Sequence, residues 1–168
     1  LFTNAIKEIY NLFEKWEFRI IGSPRLGINT FDNYSKTLKN DFERLGNRAK
    51  MIGFIDSTNL NQIVSKSSII VIPSTWQEPF GLVAAEAMSH GTAIIASNVG
   101  GLPEIIKKHG ILISKINAEK ISNKLKELMN NENLLKSYQK KSWHNFILNS
   151  KSVSFILDKH RKELFFKN

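Results

Sequence analysis

Two glutamates, Glu78 and Glu86, lie eight positions apart in STWQEPFGLVAAEAMSHG, the stretch from Ser74 to Gly91. Between and beyond them the chain is small and apolar, with Ala84, Ala85, Ala87 and Met88 around the second carboxylate. Small residues of this kind let a helix press close against a sheet. A carboxylate buried there without partners is costly or must take up a proton. Glu86 therefore calls for donors, supplied either by protein groups or by the hydroxyls of a ligand. Pro73 to Pro79 reads as the exit from a strand, with a helix entered near Phe80 and Gly81 in its first turn. The first amides of a helix have no internal partners and carry partial positive charge, so a phosphate fits there without a side chain. Gly81 would leave that approach open, and Glu78 would stand at the mouth of the crevice. The structural alternative is ordinary: a glutamate near a helix start stabilises the helix, and a buried one often pairs with a core Lys or Arg.

The elements that must position this stretch alternate between helix and strand. LFTNAIKEIYNLFEKW places Phe2, Ile6, Ile9, Phe13 and Trp16 at helical spacing. EFRIIG (17–22) predicts a strand ending at Gly22, and PRLGINTFDN a loop. Asp32 or Asn33 can cap a helix that Gly46 stops. AKMIGF (49–54) is a short strand, and Ser57 or Thr58 opens a helix. SIIVIP (68–73) and TAIIAS (92–97) are apolar throughout, the mark of strands covered on both faces. NVGGLPE is a glycine-rich turn, followed by a short helix, the strand ILIS, and helices over about 118–130, 132–147 and 151–166. This alternation predicts an α/β fold with a Rossmann-like, doubly wound parallel sheet. Ligands of such sheets bind beyond the carboxyl ends of the strands. The loops that matter are then those after Gly22, Gly53, Pro73 and Ser97.

With 168 residues and a 42% hydrophobic fraction the chain suits one domain with a real core. Cysteine is absent, which excludes disulfides and Cys-ligated metals. The opening helix carries charges throughout, unlike a secretory leader. A cytoplasmic location follows, peripheral to the inner face of a membrane if the basic half of the chain holds it there. Residues 1–106 carry 10 Lys/Arg against 10 Asp/Glu, and residues 107–168 carry 14 against 5, so the whole net charge of +9 lies in the second part. Such a half attracts anionic lipid, nucleic acid or phosphorylated substrates, or is simply a solvated helical face. No nucleic-acid motif accompanies it, and none is expected as a partner. No His/Asp/Glu cluster has metal-ligand spacing.

PSTWQEPFGLVAAEAMSHGTAIIASNVGGLPEII resembles the donor-binding motif of retaining GT-B glycosyltransferases, the family of glycogen and sucrose synthases and many surface-glycan transferases. AKMIGFIDSTNLNQIVSKSSIIVIPS resembles the segment that precedes it there. The resemblance implies a nucleoside diphosphate sugar as donor and glycosyl transfer as the reaction, with no cofactor and no metal. It implies that Glu78 binds donor-sugar hydroxyls and stabilises charge at the anomeric carbon. The amides of Phe80, Gly81 and Leu82 would hold the sugar or diphosphate, and Glu86 the ribose hydroxyls. The backbone at Phe54 and Ile55 would touch the base, and Gly100 and Gly101 would shape the turn beside the donor or simply make a tight connection. Arg25, in the loop after Gly22, is a nearby cation for the donor or a surface arginine.

Members of that family have two domains, with the acceptor held mainly by the first, and the second begins with a strand bearing two cations. Leu1–Trp16 resembles the helix after that strand. The chain is thus expected to be the donor-binding part of a longer protein, inactive alone, whose EFRIIG and SIIVIP strands lack a shared neighbour. Val153, Ile156, Leu157, His160 and Leu164 form a stripe in the last helix that would brace the other domain, or pair two copies of this one. Two alternatives from other classes remain: a non-catalytic nucleotide- or sugar-binding module, and a membrane-surface interaction domain.

Overall fold

The computed structural model of the protein describes residues 1–23 and 31–146, with Ser154, Asp158 and Lys159. The elements run α1 (Phe2–Ile9), β1 (Phe18–Ile21), α2 (Asn33–Glu43), β2 (Ala49–Ile52), α3 (Ser57–Ser65), β3 (Ile69–Ile72) and α4 (Leu82–Ser89). They continue with β4 (Ala93–Ser97), α5 (Leu102–Ile106), β5 (Ile111–Ile113), α6 (Ala118–Asn130) and α7 (Glu132–His144). The predicted last helix and its apolar stripe lie outside the described residues, apart from the three named.

Every strand pairing is parallel, and helices cover the strands, as the alternating pattern requires. β4 is buried along its whole length because both of its faces are covered. Ala93 and Ile95 pack on the α1, α2 and α6 side with Ile6, Phe42 and Ile121. Ile94 and Ala96 pack on the other side with Ala84, Ala87, Met88, Leu102 and Ile106 of α4 and α5.

The strands nevertheless form two sheets. β1 pairs with β2, from Phe18 opposite Ala49 to Ile21 opposite Ile52. β3, β4 and β5 form the second, with Ile69 opposite Ala93 and Ile95 opposite Ile111. β1 and β3 are not paired with each other. Instead both line one cavity of about 790 Å³. EFRIIG and SIIVIP thus border one space instead of pairing with each other.

Several boundaries differ from the sequence expectation, most by only a residue or two at strand ends. The opening helix ends at Ile9 and passes through a 3₁₀ turn, Tyr10–Leu12. Arg48 explains the stop: its guanidinium donates to the carbonyls of Tyr10 at 2.8 Å and of Phe13 and Trp16 at 2.9 Å. It also lies 4.0 Å from the centre of the Tyr10 ring. Those carbonyls thus find a partner outside the helix. Asp32 caps α2 as expected, accepting from the Ser35 amide at 2.7 Å. α3, however, is capped by Asp56, which accepts from the Asn59 amide at 2.9 Å, rather than by Ser57 or Thr58. α7 stops at His144, not 147. α4 starts at Leu82, not near Phe80, for a reason described below.

Replacing Arg48 leaves three carbonyls of the 10–16 segment without a donor. Arg48→Ala is expected to lower unfolding free energy by about 2–3 kcal/mol, the scale for charged hydrogen bonds. Urea denaturation of the two proteins checks this.

Candidate functional site

The carboxyl ends of the strands carry two loops that touch backbone to backbone. The first is 73–81, after β3; the second is 98–101, after β4. The Gly101 amide donates to the Glu78 carbonyl at 2.7 Å, and the Gly100 amide to the Gln77 side-chain carbonyl at 2.8 Å. A Cβ on Gly100 would stand 2.2 Å from the Glu78 carbonyl oxygen, and Gly100 has φ +55. One on Gly101 would stand 2.8 Å from the carbonyl oxygens of Pro79 and Phe80. Both glycines are therefore required by close approach of the Glu78–Phe80 backbone. The Ser74 hydroxyl donates to a Glu78 carboxylate oxygen at 3.4 Å, leaving that half-buried side chain oriented at the loop's edge.

Gly81 corrects one expectation. It is not in the first turn but is the N-cap of α4, in the left-handed region at φ +91. A Cβ there would meet the Leu102 side chain at 2.9 Å. Gly81 is thus demanded by backbone conformation and packing rather than by room for an anion. Its carbonyl accepts from the Ala84 and Ala85 amides at 2.9 and 3.2 Å. The amides of Gly81, Leu82 and Val83 stand before the first internal helix bond.

Glu86 corrects another. It is exposed, although its helix is apolar. α4 is two-sided: Ala84, Ala85, Ala87 and Met88 are buried, whereas Leu82, Val83 and Glu86 face outward. Glu86 needs no core partner because it is solvated at the wall of the cavity.

The cavity unites part of the expected site. Gly22, Phe54, Ile55, Val83 and Glu86 line its end beyond the strand termini. Phe18, Arg19 and Ile21 of β1 and Ile69–Val71 of β3 line its flanks. Glu78, Phe80, Gly81, Leu82, Gly100 and Gly101 are brought together too, but in the adjoining pair of loops rather than in the cavity wall. Arg25 lies outside the described residues. Sequence reasoning missed Gln77, which pins the second loop, Ser74, which touches Glu78, and Val83 as a wall residue. Only Gln77 left a trace, as a polar residue inside the conspicuous stretch. Asp56, at the end of the loop holding Phe54 and Ile55, has its carboxyl held below the usual range by the Asn59 backbone and side-chain hydrogen bonds. Among the described residues no group of three His, Cys, Asp or Glu could hold a metal ion.

The family model for group 1 glycosyl transferases matches residues 1–144. The chain belongs to that family. It is 31% identical over 160 residues to an uncharacterized glycosyltransferase of Methanocaldococcus jannaschii, an alignment covering 89% of this chain and 42% of that protein. Its fold resembles the C-terminal domain of a group 1 glycosyl transferase (LpcC) of Francisella tularensis, with TM-score 0.69 and 26% identity over 85% of this chain and 74% of that one. It also resembles Anabaena HepE, solved in complex with UDP, with TM-score 0.62 and 20% identity over 94% of this chain and 53% of that one. The chain spans less than half the length of the curated relatives it matches. The fold is therefore that of the C-terminal domain of GT-B glycosyltransferases.

Gly100→Ala combines a left-handed backbone with a clash against backbone atoms. It is expected to cost roughly 2–4 kcal/mol, measured by urea denaturation, while Gly22→Ala, strained by φ +133 but meeting nothing within 4 Å, lacks the clash and costs less.

Proposed function

We propose that this chain is the donor-binding part of a retaining hexosyltransferase, and that it binds a nucleoside diphosphate sugar at the cavity's open end. The observation that carries the reading is the placement of Glu86. An exposed carboxylate on an otherwise apolar helix faces the space framed by Gly22, Phe54 and Ile55 at the strand termini. That is the position for accepting hydrogen bonds from ribose hydroxyls, with the base against the Phe54–Ile55 backbone. The amides at the start of α4 would meet the diphosphate, whose charge grows as it leaves. Glu78, steadied by Ser74 and Gly101, would bind the transferred sugar and stabilise positive charge at its anomeric carbon. In the reaction the bond from the anomeric carbon to the diphosphate oxygen breaks. A bond to an acceptor oxygen forms on the same face, and the proton of the acceptor hydroxyl passes to the departing diphosphate oxygen. No resident metal or cofactor is part of this reading.

The acceptor is proposed to be a hydroxyl of a glycan or lipid-linked sugar, held largely by a further domain. We also propose that a strand from outside residues 1–168 lies between β1 and β3. It would pair both open edges and bring cations to the diphosphate. Its support is the shared cavity between two parallel edges that no strand among the described residues pairs. Residues 1–168 alone are then expected to bind nucleotide weakly and to transfer nothing.

UDP is the first nucleotide to try, since HepE was solved with UDP and with UDP-glucose. Calorimetry should show Glu86→Ala binding about five- to tenfold more weakly, about 1–1.4 kcal/mol, the net value of one solvent-exposed hydrogen bond. A 2′-deoxy nucleotide should lose a similar factor against the wild type and nothing further against the variant. Equal loss of the deoxy analogue in both proteins would remove Glu86 from the ribose.

A further inference from the structure

The amino ends of the strands form the pole opposite the loops just described. Four segments meet there: 66–68 before β3, 90–92 before β4, 107–110 before β5, and 139–144 closing α7. α7 is tied on by the Gln139 side-chain amide, which donates to the Ser68 carbonyl at 3.2 Å. It is also seated on Gly91, where an added Cβ would lie 3.3 Å from the Trp143 Cβ. These segments contain five lysines and three histidines, and no aspartate or glutamate. Lys66, Lys107, Lys108, Lys140 and Lys141 are all exposed. The ion pairs among the described residues engage Arg19, Lys39, Arg44, Lys124 and Lys136, and none of these five. Beside them the Trp143 side chain is 61% exposed. The His109 imidazole is held below its ordinary pKa by burial and then by the charges of Lys108, Lys107 and Lys141, so lysines from α7 and the α5–β5 turn act on one place.

We propose that this pole is a docking surface for an anionic phospholipid bilayer, with the lysines against headgroups and Trp143 in the interfacial layer. The charge is complementary to such a surface and unopposed within the four segments. A lone indole amid lysines suits the bilayer interface, where tryptophan gathers. Single-stranded nucleic acid instead favours successive aromatic platforms, and Trp143 is the one aromatic residue in these segments. Lys66 also lines the far side of the cavity described above, while Lys107, Lys108, Lys140, Lys141 and Trp143 do not, and the surface turns Glu78 and Glu86 toward the aqueous side.

The test is co-sedimentation of the full chain with vesicles of phosphatidylcholine alone and of equal parts phosphatidylcholine and phosphatidylglycerol. Binding is expected to the mixed vesicles only and to fall steeply with added salt. Lys108→Glu with Lys140→Glu and Lys141→Glu should weaken it at least tenfold, circular dichroism confirming the fold; should the triple variant not fold, the single reversals should each lose part of it. Brominated lipid should quench fluorescence of the wild type more than of Trp143→Phe. Absence of binding to the mixed vesicles overturns the proposal. So does binding that charge reversal leaves unchanged, or an RNA oligomer that binds through the same lysines where vesicles do not.

Discussion

The site hangs on a contact between two loop backbones. Gly100 and Gly101 let the turn after β4 lie directly on the Glu78–Phe80 segment, and the Gly101 amide holds the Glu78 carbonyl at 2.7 Å. Nothing larger fits at Gly100, where a Cβ would come within 2.2 Å of that carbonyl oxygen. With the first loop fixed in this way, Gly81 takes its left-handed conformation against Leu102, and α4 starts at Leu82. The helix start then decides which face is buried. Had it begun one residue earlier or later, each side chain would turn by about 100° around the axis, from the 3.6-residue period. Glu86 would then face the alanine-packed side. The position of one carboxylate thus follows from two glycines more than ten residues away.

The second determinant is the divided sheet. β3 to β5 have both faces covered and supply the core, whereas β1 and β2 form a separate pair that joins through α1, α2 and α6. The space between the β1 and β3 edges is continuous with the end of the cavity where Glu86 stands. Parallel edges expose unpaired amides and carbonyls, and such edges take up another strand readily. Any strand that paired these edges would therefore also form part of the wall beside Glu86.

Much of this was legible in the residues. Continuous apolar runs at 69–72 and 93–97 gave covered parallel strands because no alternation was left to mark a wet face. The Asp32 cap and the limits of α6 followed from local chemistry that tertiary packing did not disturb. Where reading failed, a distant contact decided. The stop at Ile9 depends on Arg48, far along the chain and unrelated to helical periodicity. Glu86 read as buried because its neighbours are alanines, yet small side chains on one face say nothing of the other. Gly81 looked like room for a ligand, but its conformation answers to Leu102. The Gln77–Gly100 bond has no local signature, since it joins two loops.

The most direct measurement is a backbone-amide NMR titration of the chain with UDP, GDP and ADP. The account predicts that one diphosphate shifts the amides of Gly22, Phe54, Ile55 and Glu86 together with those of Gly81 to Val83. The shifts should saturate at one common affinity, and the amino-end residues around Lys107 should stay still. A folded protein in which none of the three moves these amides, or in which the nucleotide moves a different surface, contradicts the donor-site reading.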